Sequence, residues 1–157
     1  MKVLVAYDSY FGNTESVARA IASALGNLPE VEVRKTGEVQ PAHLAGIGWL
    51  ILGSPTRGFR ASDATIKLLG SIGPGSLAGV RVAVFDTRIP EPRMPGFLRL
   101  IVKVTGYAAE KMAKALTARG AELVGQPGKF YVLDSKGPLM EGELQRAAEW
   151  AKSLKVG

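Results

Sequence analysis

The sequence contains no cysteine among its 157 residues. Disulfide bonds, thiol redox chemistry and cysteine-ligated metals are therefore excluded, and the composition fits a cytoplasmic protein. No apolar run approaches the roughly 18 residues that a membrane span requires. The first apolar run ends at Asp8 without a small-residue cleavage site, so no signal peptide is predicted. We expect a single domain over residues 1–157 with no membrane span.

Basic residues are concentrated in one part of the chain. Eight basic and three acidic residues lie between Arg57 and Lys103, so this window carries +5 of the net charge of +6. Such a surplus favours an anionic ligand or an acidic partner, although a solvated basic surface has the same composition. No nucleic-acid recognition motif accompanies these cations, so nucleic-acid binding is not predicted. The only histidine, His43, is expected in a surface connection, and no Ser/His/Asp set supports hydrolysis.

Short apolar runs alternate with segments of helical spacing. Continuous apolar runs are typical of strands buried on both faces of a parallel sheet. The alternation predicts an α/β three-layer sandwich, with a five-stranded parallel sheet covered by helices on both faces. The predicted strands are Val3–Tyr7, Val31–Lys35, Ile47–Leu52, Val80–Phe85 and one within Ala121–Leu133 that "GQPGK" can split. The first predicted helix begins near Thr14, and three others cover Ala61–Ile72, Tyr107–Ala118 and Glu143–Leu154. The last of these has Leu144, Ala147, Ala148, Ala151 and Leu154 on one face.

Several aromatic residues are assigned to the core. Trp49 lies inside a predicted buried strand, and Trp150 lies on the last predicted helix, where we expect it to pack against the sheet. Tyr107 and Tyr131 are further core candidates, although Tyr107 is also within reach of the loop after the fourth predicted strand.

The first loop after a strand has the composition of an anion site. Ligands of parallel sheets bind at the carboxyl ends of the strands. In "SYFGNT" (residues 9–14), Gly12 permits a tight turn, and Asn13 or Thr14 can cap the following helix. Free helix N–H groups and the loop hydroxyls favour a phosphate, although a well-capped turn has the same sequence. The P-loop lysine and the G-x-G-x-x-G motif are both absent.

Two more loops follow buried strands at the same predicted edge. In "GSPTRGFRAS" (53–62), Pro55 stiffens the chain, Gly58 permits a peptide that can flip, and Phe59 offers a ring for stacking. "DTRIPEP" (86–92) begins a long functional loop leading into a helix, and the following "FLRLIVKVTG" fits either a helix or a strand. Each loop alone is compatible with a simple connection, but the three together predict one binding site.

These loops resemble those of the flavodoxin family, and the resemblance covers essentially the full chain. "YDSYFGNTESVA" resembles the family's phosphate loop, "GSPTRG" its second flavin loop, and "GPLMEGELQRAAEWA" its closing segment. The resemblance implies a flavodoxin-like fold with strand order 2-1-3-4-5 and bound FMN. It implies a phosphate site formed by Ser9, Tyr10, Phe11, Gly12, Asn13 and Thr14, an isoalloxazine flanked by Pro55, Thr56, Arg57, Gly58 and Phe59, and backbone groups of Asp86, Thr87 and Arg88 at its pyrimidine edge.

The chain departs from the family around the flavin ring. Arg57 stands where flavodoxins often have a tryptophan, and the third loop lacks the usual tyrosine. Phe59, Met94 and Phe97 are the candidate substitutes, and the alternative is a more exposed flavin. Flavodoxins are typically acidic, whereas this chain is basic. Arg57 and Arg88 are therefore expected to make the semiquinone/hydroquinone potential less negative.

The resemblance implies an electron carrier rather than an enzyme with its own substrate. Its FMN would cycle between oxidised, semiquinone and hydroquinone states and pass electrons to a redox protein partner, expected to be acidic. The chain itself is expected to be a monomer or a weak dimer. The alternative is an FMN-dependent NAD(P)H or quinone oxidoreductase, in which "SPTR" also occurs. A signalling receiver domain is not supported, because Gly53 and Ser54 stand where its phosphoacceptor aspartate is required.

Overall fold

Strands and helices alternate along the chain, as the apolar pattern predicts. The computed structural model describes residues 1–26, 30–90, 95–97, 99–100 and 106–157. No helix in these ranges is both long and apolar enough to cross a membrane. The elements are β1 (Lys2–Tyr7), α1 (Asn13–Ala24), β2 (Glu30–Lys35), a 3-10 helix (Thr36–Glu38), α2 (Pro41–Leu44), β3 (Ile47–Pro55), α3 (Asp63–Ser71), β4 (Arg81–Arg88), α4 (Ala108–Thr117), β5 (Glu122–Leu123), β6 (Gly128–Tyr131) and α5 (Glu143–Ser153).

The described strands form one parallel sheet in the order β2-β1-β3-β4-β5. This confirms the predicted α/β sandwich and its strand order. The last predicted strand is divided into two pieces, because β5 pairs with Arg81 and Val82 of β4, whereas β6 pairs with the stretch from Phe85 to Arg88. The carboxyl edge of β4 is therefore completed by β6 and not by β5.

Alternate residues of each central strand face two separate apolar layers. In β1, Leu4 and Ala6 pack with residues of α3 and α4, whereas Val3, Val5 and Tyr7 pack with residues of α1 and α5. Successive side chains of a strand point to opposite faces, so a strand covered on both sides must be apolar throughout. This explains the continuous apolar runs in the sequence.

The aromatic residues of the second layer pack edge to face. Trp49 is buried, and Trp150 lies 6.0 Å from both Phe85 and Phe130, measured between ring centres. Both tryptophans therefore lie where the sequence predicts. A Cβ at Gly53 would lie 2.0 Å from the Phe85 ring, so only glycine fits beside this ring.

Two strands extend further than predicted. β3 runs to Pro55 and β4 to Arg88, because the pairing of these strands continues through Pro55 and Thr87. The third loop therefore begins at Ile89, and the prediction that it begins at Asp86 is wrong. The residues at these strand ends are mostly polar, so the apolar pattern stops before the strand pairing does.

Other local predictions also change. Leu144 is 45% exposed near the start of α5, so it does not belong to the buried face of that helix. His43 lies in α2, a helix that the pattern missed, and its Nδ1 accepts the Gln40 N–H at 2.9 Å. In the uncertain stretch, residues 96, 97, 99 and 100 are helical. The predictions for residues 91–94, 98 and 101–105 lie outside the described residues.

Candidate functional site

A cavity of about 340 Å³ opens at the carboxyl edge of the sheet. The first loop, the Pro55–Phe59 segment and the end of β4 line it together, as expected for neighbouring parallel strands. All of the predicted site residues line this cavity except Gly12 and Asp86.

The first loop leaves the N-terminus of α1 without a side-chain cap. Gly12 is the N-cap residue with a φ of 91°, and its N–H donates to Ser9 Oγ at 3.0 Å. No side chain among the described residues caps α1, so the prediction that Asn13 or Thr14 does so is wrong. The first N–H groups of this helix are therefore available to an anion, and the helix dipole favours one there.

Two side-chain contacts connect the first loop to the rest of the cavity wall. Thr14 Oγ1 and Thr87 Oγ1 share a buried hydrogen bond of 2.8 Å. Asn13 Nδ2 donates to the Lys136 carbonyl at 3.2 Å. Gly137 lies so close to Asn13 that a Cβ would be 2.6 Å from its amide group. The side chains predicted to cap the helix instead connect the first turn of α1 to the end of β4 and to the loop after β6.

The second loop contains a tight turn at the cavity. The N–H of Arg57 donates to the Arg60 carbonyl at 3.0 Å, and the N–H of Arg60 donates to the Arg57 carbonyl at 3.1 Å. The two central residues, Gly58 and Phe59, have φ values of 55° and 62°. Positive φ at both central positions defines a type I′ turn. Lys111 Nζ donates to the Phe59 carbonyl from outside the cavity.

Arg57 lies over two aromatic rings at the rim of the cavity. Its Cζ is 5.0 Å from the centre of the Tyr10 ring and 5.5 Å from that of Phe11, within cation–π range. Both rings are about half exposed. A planar, charged group therefore occupies the position for which the family resemblance implies tryptophan.

Arg88 is buried and its charge is balanced by carboxylates. Its Nε and Nη2 donate to the two oxygens of Asp86 at 2.7 and 2.6 Å, and Nη2 lies 3.3 Å from Glu110. The Arg88 guanidinium also lies 3.5 Å from the centre of the Tyr107 ring. Burial lowers the pKa of Arg88, but the bonds and charge of Asp86 outweigh burial and raise it. Because carboxylates balance its charge, Arg88 adds less net positive charge to the cavity than its sequence position suggests, and its expected effect on a flavin potential stays a prediction.

Asp86 supports the wall of the cavity from inside the protein. Its carboxylate accepts the Ala109 N–H at 2.9 Å and the Thr56 hydroxyl at 3.2 Å, and Thr56 Oγ1 in turn accepts the Ala108 N–H. Burial raises the pKa of Asp86, and the bonds from Arg88 and Ala109 oppose that rise. Because these partners all donate, they favour the ionised carboxylate. Asp86 therefore anchors the start of α4 to the second loop.

The backbone at the end of β4 is largely engaged in the sheet. The Thr87 carbonyl accepts the Thr56 N–H at 3.0 Å, and the Arg88 carbonyl accepts the Val132 N–H at 2.9 Å. Both carbonyls therefore already have one partner in the sheet, and the expectation that Asp86, Thr87 and Arg88 offer backbone groups to a flavin edge stays a prediction. Ile89 is the first residue beyond β4 that lines the cavity.

Sequence reasoning identified only part of the cavity wall. Of the candidate substitutes for the missing aromatic pair, Phe59 lines the cavity, Phe97 is 68% exposed and does not line it, and Met94 lies outside the described residues. Tyr107, expected within reach of the third loop, does line the cavity. The "DSKG" loop follows β6 at the same sheet edge, so its position after a strand also predicts Ser135 near the cavity. The lining residues that the predicted set omits are Ile89, Pro95, Tyr107, Val132 and Ser135.

No protein-family model matches this chain, and no curated protein is significantly similar to it in sequence. Solved structures are similar over its full length. Oxidised Flavodoxin 2 from Bacillus cereus has 26% sequence identity and a TM-score of 0.78, and the alignment covers 99% of this chain and 98% of that one. Flavodoxin 1 from Bacillus cereus has 20% identity and a TM-score of 0.76, covering 99% and 97%.

A similar fold also forms part of a larger protein. Rubredoxin oxygen:oxidoreductase from the anaerobe Desulfovibrio gigas has 19% identity and a TM-score of 0.74, covering 98% of this chain but 35% of that chain. The parallel sheet order and the full-length similarity to Flavodoxin 2 agree with the three loops at the cavity. On these observations, the chain is a flavodoxin-like protein.

Proposed function

We propose that this chain binds FMN and carries electrons between redox proteins. The observation that carries the proposal is the cavity at the sheet edge, which joins the uncapped N-terminus of α1 to aromatic and planar side chains. A helix N-terminus suits a phosphate, and flat side chains suit a flat ring. The full-length similarity to oxidised flavodoxins supports the same assignment.

The residues present fit FMN in size and in polarity. A cavity of about 340 Å³ is in the usual range for sites that bind small molecules. Ser9, Asn13 and Thr14 bring hydroxyl and amide groups to the cavity wall at the start of α1. Arg57 and Phe59 also line the cavity and provide planar surfaces. The first group would hold the phosphate of the cofactor, and the second would flank its ring.

The chain would orient the cofactor and control its surroundings. When bound, FMN supplies one-electron and two-electron redox chemistry. Gly58 has a φ of 55°, and no atom of the described residues lies within 4 Å of the position that a Cβ would occupy. Because glycine adopts either sign of φ, its peptide is the one that could reorient, and the Gly58 carbonyl would then accept a hydrogen bond from an N–H of the flavin ring. Arg57 adds positive charge at the rim, whereas the charge of Arg88 is balanced by Asp86.

Binding is tested by titrating the apoprotein with FMN and, in parallel, with riboflavin, which lacks the phosphate. Flavin fluorescence should be quenched by both, with a dissociation constant at least about tenfold lower for FMN because its phosphate gains charge-assisted hydrogen bonds. Failure to bind FMN would overturn the proposal. Equal affinity for the two flavins would contradict the phosphate role of the first loop.

We also propose that the partner presents acidic residues to the rim of the cavity. Tyr10 and Phe11 are about half exposed there and lie beside the guanidinium of Arg57. Electron transfer to an acidic redox protein should slow several-fold between about 50 and 300 mM salt, because salt screens charge attraction. A salt-independent rate would contradict this partner class. Rapid NAD(P)H oxidation without any partner would instead favour an oxidoreductase.

A further inference from the structure

Lys111 contacts the cavity turn from the side that faces away from the cavity. It lies on α4, and its Nζ donates to the backbone carbonyl of Phe59. Its side chain lines a separate groove, together with Arg60 and Met112, and not the cavity. Lys111 therefore contacts the turn without occupying space that a ligand needs.

The residue that Lys111 holds has an unfavourable backbone conformation. Phe59 has a φ of 62°, in the left-handed region that glycine adopts easily and that costs other residues free energy. The two hydrogen bonds between Arg57 and Arg60 close the turn but leave the Phe59 carbonyl to an outside partner. A turn with this conformation persists only when its surroundings stabilise it.

The helix that carries Lys111 is itself fixed to the same loop. The Ala108 N–H donates to Thr56 Oγ1 at 3.2 Å, one residue before the turn begins. Ala108 and Lys111 are three residues apart, so they lie on neighbouring positions of one helix face. The helix thus holds the second loop at two points, before the turn and within it.

We propose that Lys111 is a positioning residue that keeps Phe59 in its left-handed conformation and so presents the turn to the cavity. The role in the turn depends only on the protein, and its consequence for flavin binding rests on the proposed function. The clearest test is therefore made first on the apoprotein. Amide hydrogen exchange of Arg57 and Arg60 reports directly on the two hydrogen bonds that close the turn.

Exchange is compared among the wild type, Lys111→Met, Lys111→Arg and the control Lys114→Met, which removes an exposed charge from the next turn of the same helix. Lys111→Met should speed the exchange of both amides about fivefold, as expected for the loss of one charge-assisted hydrogen bond. Lys111→Arg should restore much of the protection, and Lys114→Met should leave it unchanged. Unchanged exchange in Lys111→Met, equal acceleration in Lys114→Met, or unprotected amides in the wild type would each overturn the proposal.

A second comparison isolates the backbone cause. In a Phe59→Gly background the left-handed φ carries no penalty, so Lys111→Met should accelerate exchange much less than in the wild type. An equal acceleration in both backgrounds would contradict a role in holding Phe59. FMN titration then distinguishes the role of Lys111 in the turn from the proposed function. If neither the wild type nor any variant binds FMN, the proposed function fails, but the exchange result for the turn still holds. A loss of FMN affinity of about fivefold in Lys111→Met alone supports both the role of Lys111 and the proposed function.

Discussion

Arg88 and Asp86 form a two-point ion pair inside the sheet, with hydrogen bonds of 2.7 and 2.6 Å. The two residues are separated by one position in β4, so their side chains lie on the same face of the strand. Asp86 is completely buried and Arg88 is 5% exposed. This pair explains how a chain with a net charge of +6 keeps the charge of Arg88 balanced at the cavity wall.

Removing the cation of this pair should strongly destabilise the fold. We expect Arg88→Met to lower the free energy of unfolding by about 3 kcal/mol or more, because it leaves the Asp86 carboxylate buried without a counter-ion. Arg81→Met is the matched control in the same strand, since Arg81 is exposed and lies 3.9 Å from Glu122. Its cost should stay below about 1 kcal/mol. Urea unfolding measures the free energy of unfolding of both variants. Equal losses of free energy in the two would contradict the role assigned to Arg88.

The Thr14–Thr87 hydrogen bond should behave as a coupled pair. Thr14→Val leaves the buried Thr87 hydroxyl without this partner and should cost about 1–2 kcal/mol of unfolding free energy. The double substitution Thr14→Val, Thr87→Val replaces both hydroxyls with groups of similar shape and should cost less than the sum of the single changes. A double-mutant cycle in urea provides the measurement. Strict additivity would show that the two residues do not depend on each other.

Charge at Arg57 should affect the bound cofactor. If FMN occupies the cavity, Arg57→Glu should make the midpoint potential for uptake of the second electron more negative, on the order of 50 mV for an exposed charge about 8 Å away. Arg60→Glu is the control, because Arg60 belongs to the same turn but does not line the cavity. Spectroscopic redox titration should show a clearly smaller shift for this variant. No difference between the two would remove Arg57 as a determinant of the potential.

The left-handed backbone at Gly58 should be necessary for the turn. Proline fixes φ near −65°, so Gly58→Pro is incompatible with the observed φ of 55° and should open the Arg57–Arg60 turn. Gly58→Ala meets no steric contact with the described residues and should cost only about 1 kcal/mol, through its φ. Protection of the Arg57 and Arg60 amides from exchange should be highest in the wild type, lower in Gly58→Ala and lowest in Gly58→Pro. FMN affinity, measured by titration, should follow the same order. An intact turn in the proline variant would contradict the assignment.

Acid should weaken the packing of α5 through Glu143. Its carboxylate accepts the Tyr131 N–H at 2.7 Å and is paired with Arg146, also at 2.7 Å. Burial raises the pKa of Glu143, but these bonds outweigh burial and lower it below the ordinary 4.5. Because the folded pKa is the lower one, this stabilisation is complete above about pH 4.5 and is lost as the pH falls through the folded value.

Glu143→Gln should therefore reduce the acid-dependent loss of stability. Its unfolding free energy should change less than that of the wild type between about pH 5 and pH 3, while Glu141→Gln, an exposed neighbour, should follow the wild type. Urea unfolding at several pH values measures both slopes. Identical slopes in all three proteins would show that Glu143 does not contribute.

Much of the fold followed from local patterns. Continuous apolar runs located the strands because each central strand is covered on both faces, and Trp49 in such a run is buried. The limits of β3 and β4 were harder to predict, because Ser54 and Asp86 are polar and yet buried within paired strands. Burial of a polar residue depends on a hydrogen-bond partner that the local sequence does not reveal.

The sequence alone was sufficient for the parallel α/β architecture and for most of the loop residues around the cavity, since apolar periodicity and strand ends are local features. The hydrogen-bond and ion-pair partners of those residues are shown only by the tertiary structure. Thr14 lies 73 positions from Thr87, and Asn13 lies 123 positions from Lys136. Arg88 is neutralised partly by Glu110, 22 residues further along the chain. Charge balance and side-chain bonding depend on which distant groups meet in space, and that is settled by packing of the whole chain.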